Sequence, residues 1–198
     1  MTFSPTTPPT AQELATAVDL PVFDREGNEV KLGQLLQNDK GKAVVIFIRQ
    51  DYISYLTMHL PPALLASSST KLSVVGCGDW KLAGPYKDNL DTPFEVYADP
   101  SKKTYEALGM TLRTLDMGSE KPAYVRQGMF WNALGSIVTA FKMKRVTTPA
   151  GDIKQLGGEF VFGPGMEPVY THRMENTRGH APLEALLQAI GVPSQGSV

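Results

Sequence analysis

The chain of 198 residues is 42% hydrophobic, and its 19 basic and 20 acidic side chains leave a formal net charge of −1. This length and composition predict one compact domain with a sizeable core. Because no long basic run occurs, nucleic acid and anionic membrane surfaces are not expected as partners. The single cysteine, Cys77, excludes a disulfide-stapled secreted scaffold and suits a reducing compartment.

The N-terminal sequence MTFSPTTPPT has neither the charged n-region nor the apolar h-region of a signal peptide. No apolar run approaches the ~20 residues that a membrane-spanning helix needs. We therefore expect a cytoplasmic protein that does not contact a membrane. Residues 1–10 are rich in Thr and Pro, and we expect them to be disordered.

Strands and helices alternate in the first half of the chain. The predicted strands are Pro21–Phe23, Glu29–Val30, Lys42–Arg49, Leu72–Cys77 and Phe94–Ala98. The first two form a hairpin with Gly27 at its turn, and the continuous apolar run of the third is typical of a strand buried on both faces. The predicted helices are Ala11–Ala17, a helix from about Tyr52 that Pro61-Pro62 interrupts, Pro85–Leu90 with Pro85 at its first position, and a helix from Asp99-Pro100-Ser101 through Leu108.

The pattern changes in the second half. Apolar residues at positions 125, 129, 133, 134, 137, 138 and 141 have helical spacing and predict a helix over Pro122–Lys142. Gly158–Phe162 and Val169–Arg173 are predicted to form a hairpin, and Pro182–Ile190 the closing helix. Strands alternating with helices, followed by a hairpin, predict an α/β fold with a central mixed sheet.

Several segments share their order and spacing with a known family. They are Val22–Gly27, Val45–Arg49, Val74–Asp79, Tyr97–Ser101 with Tyr105–Gly109, Gly157–Phe162, and His172–Met174 through His180. With them the chain resembles the peroxiredoxin-like AhpC/TSA branch of the thioredoxin-like superfamily, in particular its divergent fungal forms. The resemblance implies one thioredoxin-like domain over residues 11–192, with helices on both faces of the sheet and a branch-specific insertion at 110–156. A flavodoxin-like parallel sheet is the alternative, which the closing hairpin disfavours.

The resemblance also implies where redox residues would stand. The peroxidatic cysteine of the family maps onto Ile53, a second cysteine onto Leu56, and the Thr/Ser that binds the peroxide onto Gln50. Attack on a peroxide needs a thiolate of lowered pKa at the helix N-terminus, and an aliphatic side chain offers none. We therefore expect neither conventional peroxidase nor disulfide reductase activity.

A site is expected at the carboxyl ends of the parallel strands, where open α/β sheets bind ligands. That edge brings Arg49–Tyr52 beside Cys77–Trp80, and the topology of the family adds Gly157–Glu159 and His172–Arg173. The candidate catalytic residues are Asp51, Tyr52, Cys77 and His172. The candidate substrate-binding residues are Arg49, Gln50, Tyr55, Trp80, Tyr124, Trp131, Glu159 and Arg173.

Most of these residues have a structural interpretation as well. Asp51 can cap the helix that follows it, and Cys77 can be a small buried hydrophobe at a strand end. Arg173 and Arg178 can hold backbone carbonyls at the last strand–helix junction. Tyr124, with Trp131, can belong to the core or to a subunit interface. Three histidines and one cysteine show no metal-ligand spacing, so no metal site is predicted.

Three classes of function remain open. The first is a cofactor-free, non-redox enzyme of specialised metabolism, of the isomerase, cyclase or lyase type, acting on a small, partly apolar metabolite. The second is a one-cysteine, thiol-dependent antioxidant enzyme that uses Cys77. The third is a non-catalytic binding or scaffold domain, for which we consider a homodimer.

Overall fold

The structure is a computed structural model that describes residues 3–48, 52–119, 122, 124 and 151–193. The strands are β1 (Pro21–Phe23), β2 (Glu29–Lys31), β3 (Lys42–Ile48), β4 (Thr70–Gly76), β5 (Glu95–Ala98), β6 (Gly158–Phe162) and β7 (Pro168–Arg173). The helices are α1 (Ala11–Ala17), α2 (Leu32–Leu36), α3 (Tyr52–His59), α4 (Pro62–Ser67), α5 (Ala83–Leu90), α6 (Lys103–Ala107) and α7 (Leu183–Ile190). None of the helices in these ranges is long and apolar enough to cross a membrane.

The strands form one seven-stranded sheet in the order β2-β1-β5-β4-β3-β6-β7. β3, β4 and β5 are parallel to one another, whereas β6 runs antiparallel to β3 and β7 antiparallel to β6. The predicted mixed sheet is therefore confirmed. The flavodoxin-like alternative is wrong, because the closing hairpin joins the sheet in antiparallel orientation.

Strand β3 lies inside the sheet, and all of its residues after Lys42 are buried. Because successive side chains of a strand point to opposite faces, Val44, Ile46 and Ile48 enter one core and Val45 and Phe47 the other. We call these the α3 face, which α3, α4, α5 and α7 cover, and the α6 face, which α1, α2 and α6 cover. The predicted arrangement of helices on both faces is confirmed.

The predicted starts of two helices change. Helix α5 begins at Ala83, so Pro85 is not its first residue; a 3-10 turn over Trp80–Leu82 precedes it, capped by the Asp79 carboxylate. The last helix of the first half begins at Lys103 rather than at Asp99, and the buried Asp99 carboxylate, which precedes the helix, accepts the N–H of Thr104 in its first turn.

The disorder expected for residues 1–10 stays a prediction; within residues 3–10, the backbone carbonyls of Ser4, Pro5 and Thr7 accept hydrogen bonds from Arg173. The helix predicted over Pro122–Lys142 lies outside the described residues apart from positions 122 and 124.

Candidate functional site

The turn from β3 into α3 is the centre of the predicted site. Of its candidate residues, Arg49, Gln50 and Asp51 lie outside the described residues, as does Trp131. Tyr52 opens α3 and is fully buried in the core of the α3 face. Its hydroxyl donates a hydrogen bond of 2.7 Å to the carbonyl of Ala181. Its ring stacks on the imidazole of His180, with centroids 4.3 Å apart and planes 8° from parallel.

A buried Glu–His pair lies beneath that ring. Glu159 is opposite Ile46 in the sheet, so its side chain points into the α3 face, where it has no solvent exposure. One carboxylate oxygen is 2.5 Å from Nδ1 of His180, and the other accepts the N–H of Ala181 at 3.1 Å. A buried carboxylate is stable only when it is paired and hydrogen-bonded in this way.

The second imidazole nitrogen of His180, Nε2, does not face Glu159. A carboxylate oxygen accepts a hydrogen bond from an imidazole N–H, so the contact with Glu159 favours the tautomer that has its proton on Nδ1. No hydrogen-bond partner of Nε2 is found within the described ranges. Nε2 is therefore the atom at which this pair can exchange a proton with a further group.

Three more rings surround Tyr52 and His180. Tyr124 packs edge-on against Tyr52 at 5.2 Å, and its hydroxyl donates to the Arg178 carbonyl at 2.6 Å. Tyr55 lies 6.1 Å from Tyr52 and 4.2 Å from His59. We call Tyr52, Tyr55, Tyr124, His59 and His180 the aromatic cluster. All of its rings except that of the half-buried His59 are buried, so the cluster is a mainly apolar region of the core with a few polar atoms.

Tyr52 itself is not available for proton transfer near neutral pH. Burial raises the pKa of its phenol well above the ordinary value, and the Glu159 carboxylate raises it further. The phenol therefore stays protonated and keeps its hydrogen bond to Ala181. The structure gives Tyr52 a positioning role, because its ring fixes the plane of His180.

The predicted cysteine positions hold aliphatic side chains that are completely buried. Ile53 and Leu56 are both 0% exposed and belong to the core of the α3 face. Neither side chain can ionise or bind a peroxide. They anchor α3 to the sheet beside Tyr52.

Of the predicted constellation of Arg49, Asp51, Tyr52, Cys77 and His172, Arg49 and Asp51 lie outside the described residues, and Cys77 packs against a different core from Tyr52. Cys77 packs against the core of the α6 face, because it lies two residues after Val75, which points into that core. Its Sγ contacts the carbonyl of Asp152 at 3.7 Å. Tyr52 follows β3 and Cys77 follows the neighbouring strand β4, but their side chains lie on opposite faces of the sheet.

Two neighbouring residues of β7 also separate across the sheet. His172 is opposite Glu159, and its Nε2 donates to the Gly179 carbonyl at 2.7 Å, which fastens the loop that carries His180. Arg173 points to the α6 face, where Nε donates to the Leu108 carbonyl at 2.6 Å. Arg173 therefore holds backbone carbonyls, as its structural interpretation has it, but those of Leu108, Ser4 and Thr7 rather than those of the last strand–helix junction. Trp80 is also remote from His180, since its ring packs on the turn between β1 and β2, where a Cβ at Gly27 would lie 2.9 Å away.

The profile of the AhpC/TSA antioxidant enzyme family matches residues 58–176, more than half of the chain. The chain belongs to the AhpC/TSA antioxidant enzyme family. It is 30% identical over 201 aligned residues to the human protein Peroxiredoxin-like 2C, across 96% of this chain and 85% of the human protein. It is 35% identical over 107 residues to bovine prostamide/prostaglandin F synthase, across 51% of this chain and 48% of that protein.

Solved peroxiredoxins share the fold. Peroxiredoxin Q of Xanthomonas campestris has a TM-score of 0.55 at 16% identity, across 89% of this chain and 92% of that one. Peroxidoxin BcpB of Mycobacterium tuberculosis also reaches 0.55, at 8% identity, across 95% and 94%. The thioredoxin-like fold predicted for this AhpC/TSA family member is confirmed. The family profile begins at Met58, within α3 and C-terminal to Ile53 and Leu56.

His180 is the residue of this AhpC/TSA protein that sequence reasoning missed as a candidate. Its partner, Glu159, lies 21 residues earlier and on another element. No spacing rule links a strand residue to a loop residue at that separation. The available signal is the concentration of titratable residues between His172 and His180, of which only His172 and Arg173 are selected as candidates from the sequence.

The thiol of Cys77 is expected to react slowly in the folded protein. Burial raises the pKa of Cys77, and the nearby Lys102 only partly opposes this. The reactive thiolate is therefore scarce near neutral pH. Iodoacetamide labelling between pH 7 and 10 should give an apparent pKa above that of free cysteine, and labelling should accelerate in urea. An apparent pKa below the ordinary thiol range would contradict this.

Proposed function

We propose that this AhpC/TSA family protein is a cofactor-free, non-redox enzyme that performs acid–base chemistry on a small, partly apolar metabolite. The observation that carries the proposal is the Glu159–His180 pair, with a bond of 2.5 Å on Nδ1 and no described partner on Nε2. A carboxylate on Nδ1 orients an imidazole and stabilises the imidazolium that forms when Nε2 accepts a proton. His180 is then the general base and acid, and Glu159 positions it.

The reaction classes follow from a single proton-transfer group. His180 can remove a proton from one atom of a bound molecule and return it to another, which is the requirement of isomerases, cyclases and many lyases. Such reactions exchange no electrons with the protein. Such reactions need no redox cysteine, and Ile53 and Leu56 occupy the positions that the family resemblance gives to redox cysteines.

The substrate class follows from the aromatic cluster. The rings of Tyr52 and Tyr124 pack against His180, and Tyr55 packs against both of these tyrosines. Small-molecule sites are typically apolar with a few polar groups. The name of the bovine relative, prostamide/prostaglandin F synthase, is that of an enzyme with small-molecule products. Both points support a ligand with apolar parts rather than a nucleic acid or a membrane as partner.

A binding or scaffold domain is the second candidate. It is supported by the hydrogen bonds that Tyr52 and His172 each donate to a backbone carbonyl, because these donors are then engaged in holding the structure. In that case the aromatic cluster is a rigid core, and a homodimer is the proposed assembly. The one-cysteine enzyme is the weakest of the three, because Cys77 lies on the α6 face with a raised pKa.

The test is conversion of small molecules by the purified protein. We would incubate it with a metabolite extract and follow by mass spectrometry the molecules that isomerise at constant mass or split into two. His180→Asn keeps a donor for Glu159 and removes Nε2, so it should lower turnover by about 10²-fold or more. Cys77→Ser is the matched control and should leave turnover unchanged.

Each other outcome selects another function. Turnover that survives His180→Asn but is lost in Cys77→Ser would assign the chemistry to the thiol. Hydrogen peroxide consumption with thioredoxin or glutathione, well above that of Cys77→Ser, would do the same. Retention of a molecule without any conversion would leave the binding domain.

A further inference from the structure

Residues 3–10, which we call the N-terminal strap, are fixed along the outer strand β7 by Arg173. Nη1 of Arg173 donates to the carbonyl of Ser4 at 2.9 Å and to that of Thr7 at 2.7 Å. The backbone N–H of Arg173 donates to the carbonyl of Pro5 at 2.8 Å. Since β7 is at the edge of the sheet, the strap covers backbone groups that would otherwise face solvent.

The charge of Arg173 has no counterion in this arrangement. The residue is 5% exposed, and its partners are neutral carbonyls and the face of the Phe160 ring at 5.5 Å. No carboxylate lies within ion-pair distance of it in the part of the chain that the structure describes. The nearby Glu13 carboxylate instead accepts hydrogen bonds from Thr10. A buried cation without an anion is unfavourable, so an anion added here is stabilised.

The strap offers a hydroxyl where an anion can be attached. Ser4 Oγ lies 2.6 Å from Thr7 Oγ1 and accepts the N–H of Thr7 at 3.3 Å. Two polar groups of Thr7, its N–H and its hydroxyl, thus already converge on Ser4 Oγ, in the segment whose carbonyls Arg173 holds. Ser4 is followed by Pro5, and a Ser-Pro dipeptide is the minimal sequence that proline-directed protein kinases accept.

We propose that Ser4 is a phosphorylation site and that its phosphate locks the N-terminal strap onto Arg173. The kinase transfers the γ-phosphoryl group of ATP: an O–P bond forms at Ser4 Oγ, the bond between the β- and γ-phosphates breaks, ADP leaves, and the hydroxyl proton passes to the solvent. The phosphate brings about −1.5 to −2 charges and three acceptor oxygens. It takes over the donors of Thr7 and supplies the counter-charge that Arg173 lacks.

The strap opens for the kinase and closes afterwards. Terminal segments with few buried contacts open locally at small free-energy cost, which gives the kinase access to Ser4. Once phosphorylated, the strap gains charge-assisted hydrogen bonds in the closed state only. Phosphorylation thereby shifts the strap toward the closed state and protects the edge of β7.

The first arm of the test is phosphorylation itself. The full chain is treated with ATP and a proline-directed Ser/Thr kinase, and the site is mapped by mass spectrometry. One phosphate at Ser4 is expected, absent in Ser4→Ala and retained in Thr7→Ala. Incorporation at Thr7 alone, or no incorporation, overturns the assignment.

The second arm measures whether the phosphate meets Arg173. A free phosphoserine has a second pKa of ~6, and a neighbouring guanidinium favours the dianion. The ³¹P titration of folded phosphoprotein should therefore give a lower pKa than the same protein in urea, with a smaller shift in Thr7→Ala. Cleavage within residues 3–10 by a protease should also slow several-fold. An unchanged or raised phosphate pKa, or faster cleavage, overturns the locking role.

Discussion

Replacing Glu159 with alanine is expected to lower the free energy of unfolding by about 3–5 kcal/mol. The substitution leaves the N–H of Ala181 and Nδ1 of His180 without their acceptor inside the α3 face. Each unsatisfied buried donor is worth about 1–3 kcal/mol, and the lost side chain adds a cavity. Urea unfolding followed by circular dichroism measures the change.

The exposed Glu106 on α6 provides a matched control, because Glu106→Ala removes the same group without burial and should stay within about 0.5 kcal/mol of the wild type. The double variant Glu159→Ala/His180→Ala should be less destabilised than the sum of the single variants, since the two side chains are direct partners. A loss below about 1 kcal/mol for Glu159→Ala, similar to a surface site, would mean that the carboxylate is not desolvated as described.

Replacing Gly157 with alanine is expected to destabilise the protein by about 3 kcal/mol or more. A Cβ at this position would overlap the carbonyl oxygen of Phe47. The obstacle is backbone, which no rotamer change can move aside, so the ends of β3 and β6 must separate. The measurement is again the free energy of unfolding in urea.

Gly76→Ala is the companion variant, because it lies at the end of the neighbouring strand β4 and a Cβ there meets its nearest atom, the carbonyl of Tyr97, at 3.9 Å. That is an ordinary contact, so a change of less than about 1 kcal/mol is expected. Equal losses for the two glycine variants would show that close approach to β3 is not the cause.

The fold was predictable because the sequence patterns of the individual strands and helices agree with the order in which these elements follow one another. The uninterrupted apolar run that became β3 indicated a strand buried on both faces, and Gly163-Pro164-Gly165 indicated the antiparallel hairpin that ends the sheet. Pro85 misled the placement of α5, because proline is tolerated anywhere in the first turn of a helix. The preceding 3-10 turn depends on a side-chain cap by Asp79 that composition does not reveal.

The candidate site was less predictable, because it depends on the pleat and on loop paths. Strand ends predicted that Tyr52 and Cys77 would meet, but strand alternation sends Cys77 to the α6 face. The partner of Glu159 comes from the loop after β7, whose course is set by the hydrogen bond of His172 to Gly179. Arg173 contacts Ser4 across a separation of 169 residues, which no local pattern encodes.

The sheet separates two buried cores, on the α3 face and on the α6 face, that contain different functional groups. The α3 face holds Glu159, His180 and the aromatic cluster, whereas the α6 face holds Cys77 and the Arg173 contacts with the strap. Substitutions without shared partners act additively on stability, so a change in one core leaves the tolerance of the other intact. Over evolutionary time, the residues beneath α3 are therefore free to diversify while the anchoring of residues 3–10 on the opposite face is kept.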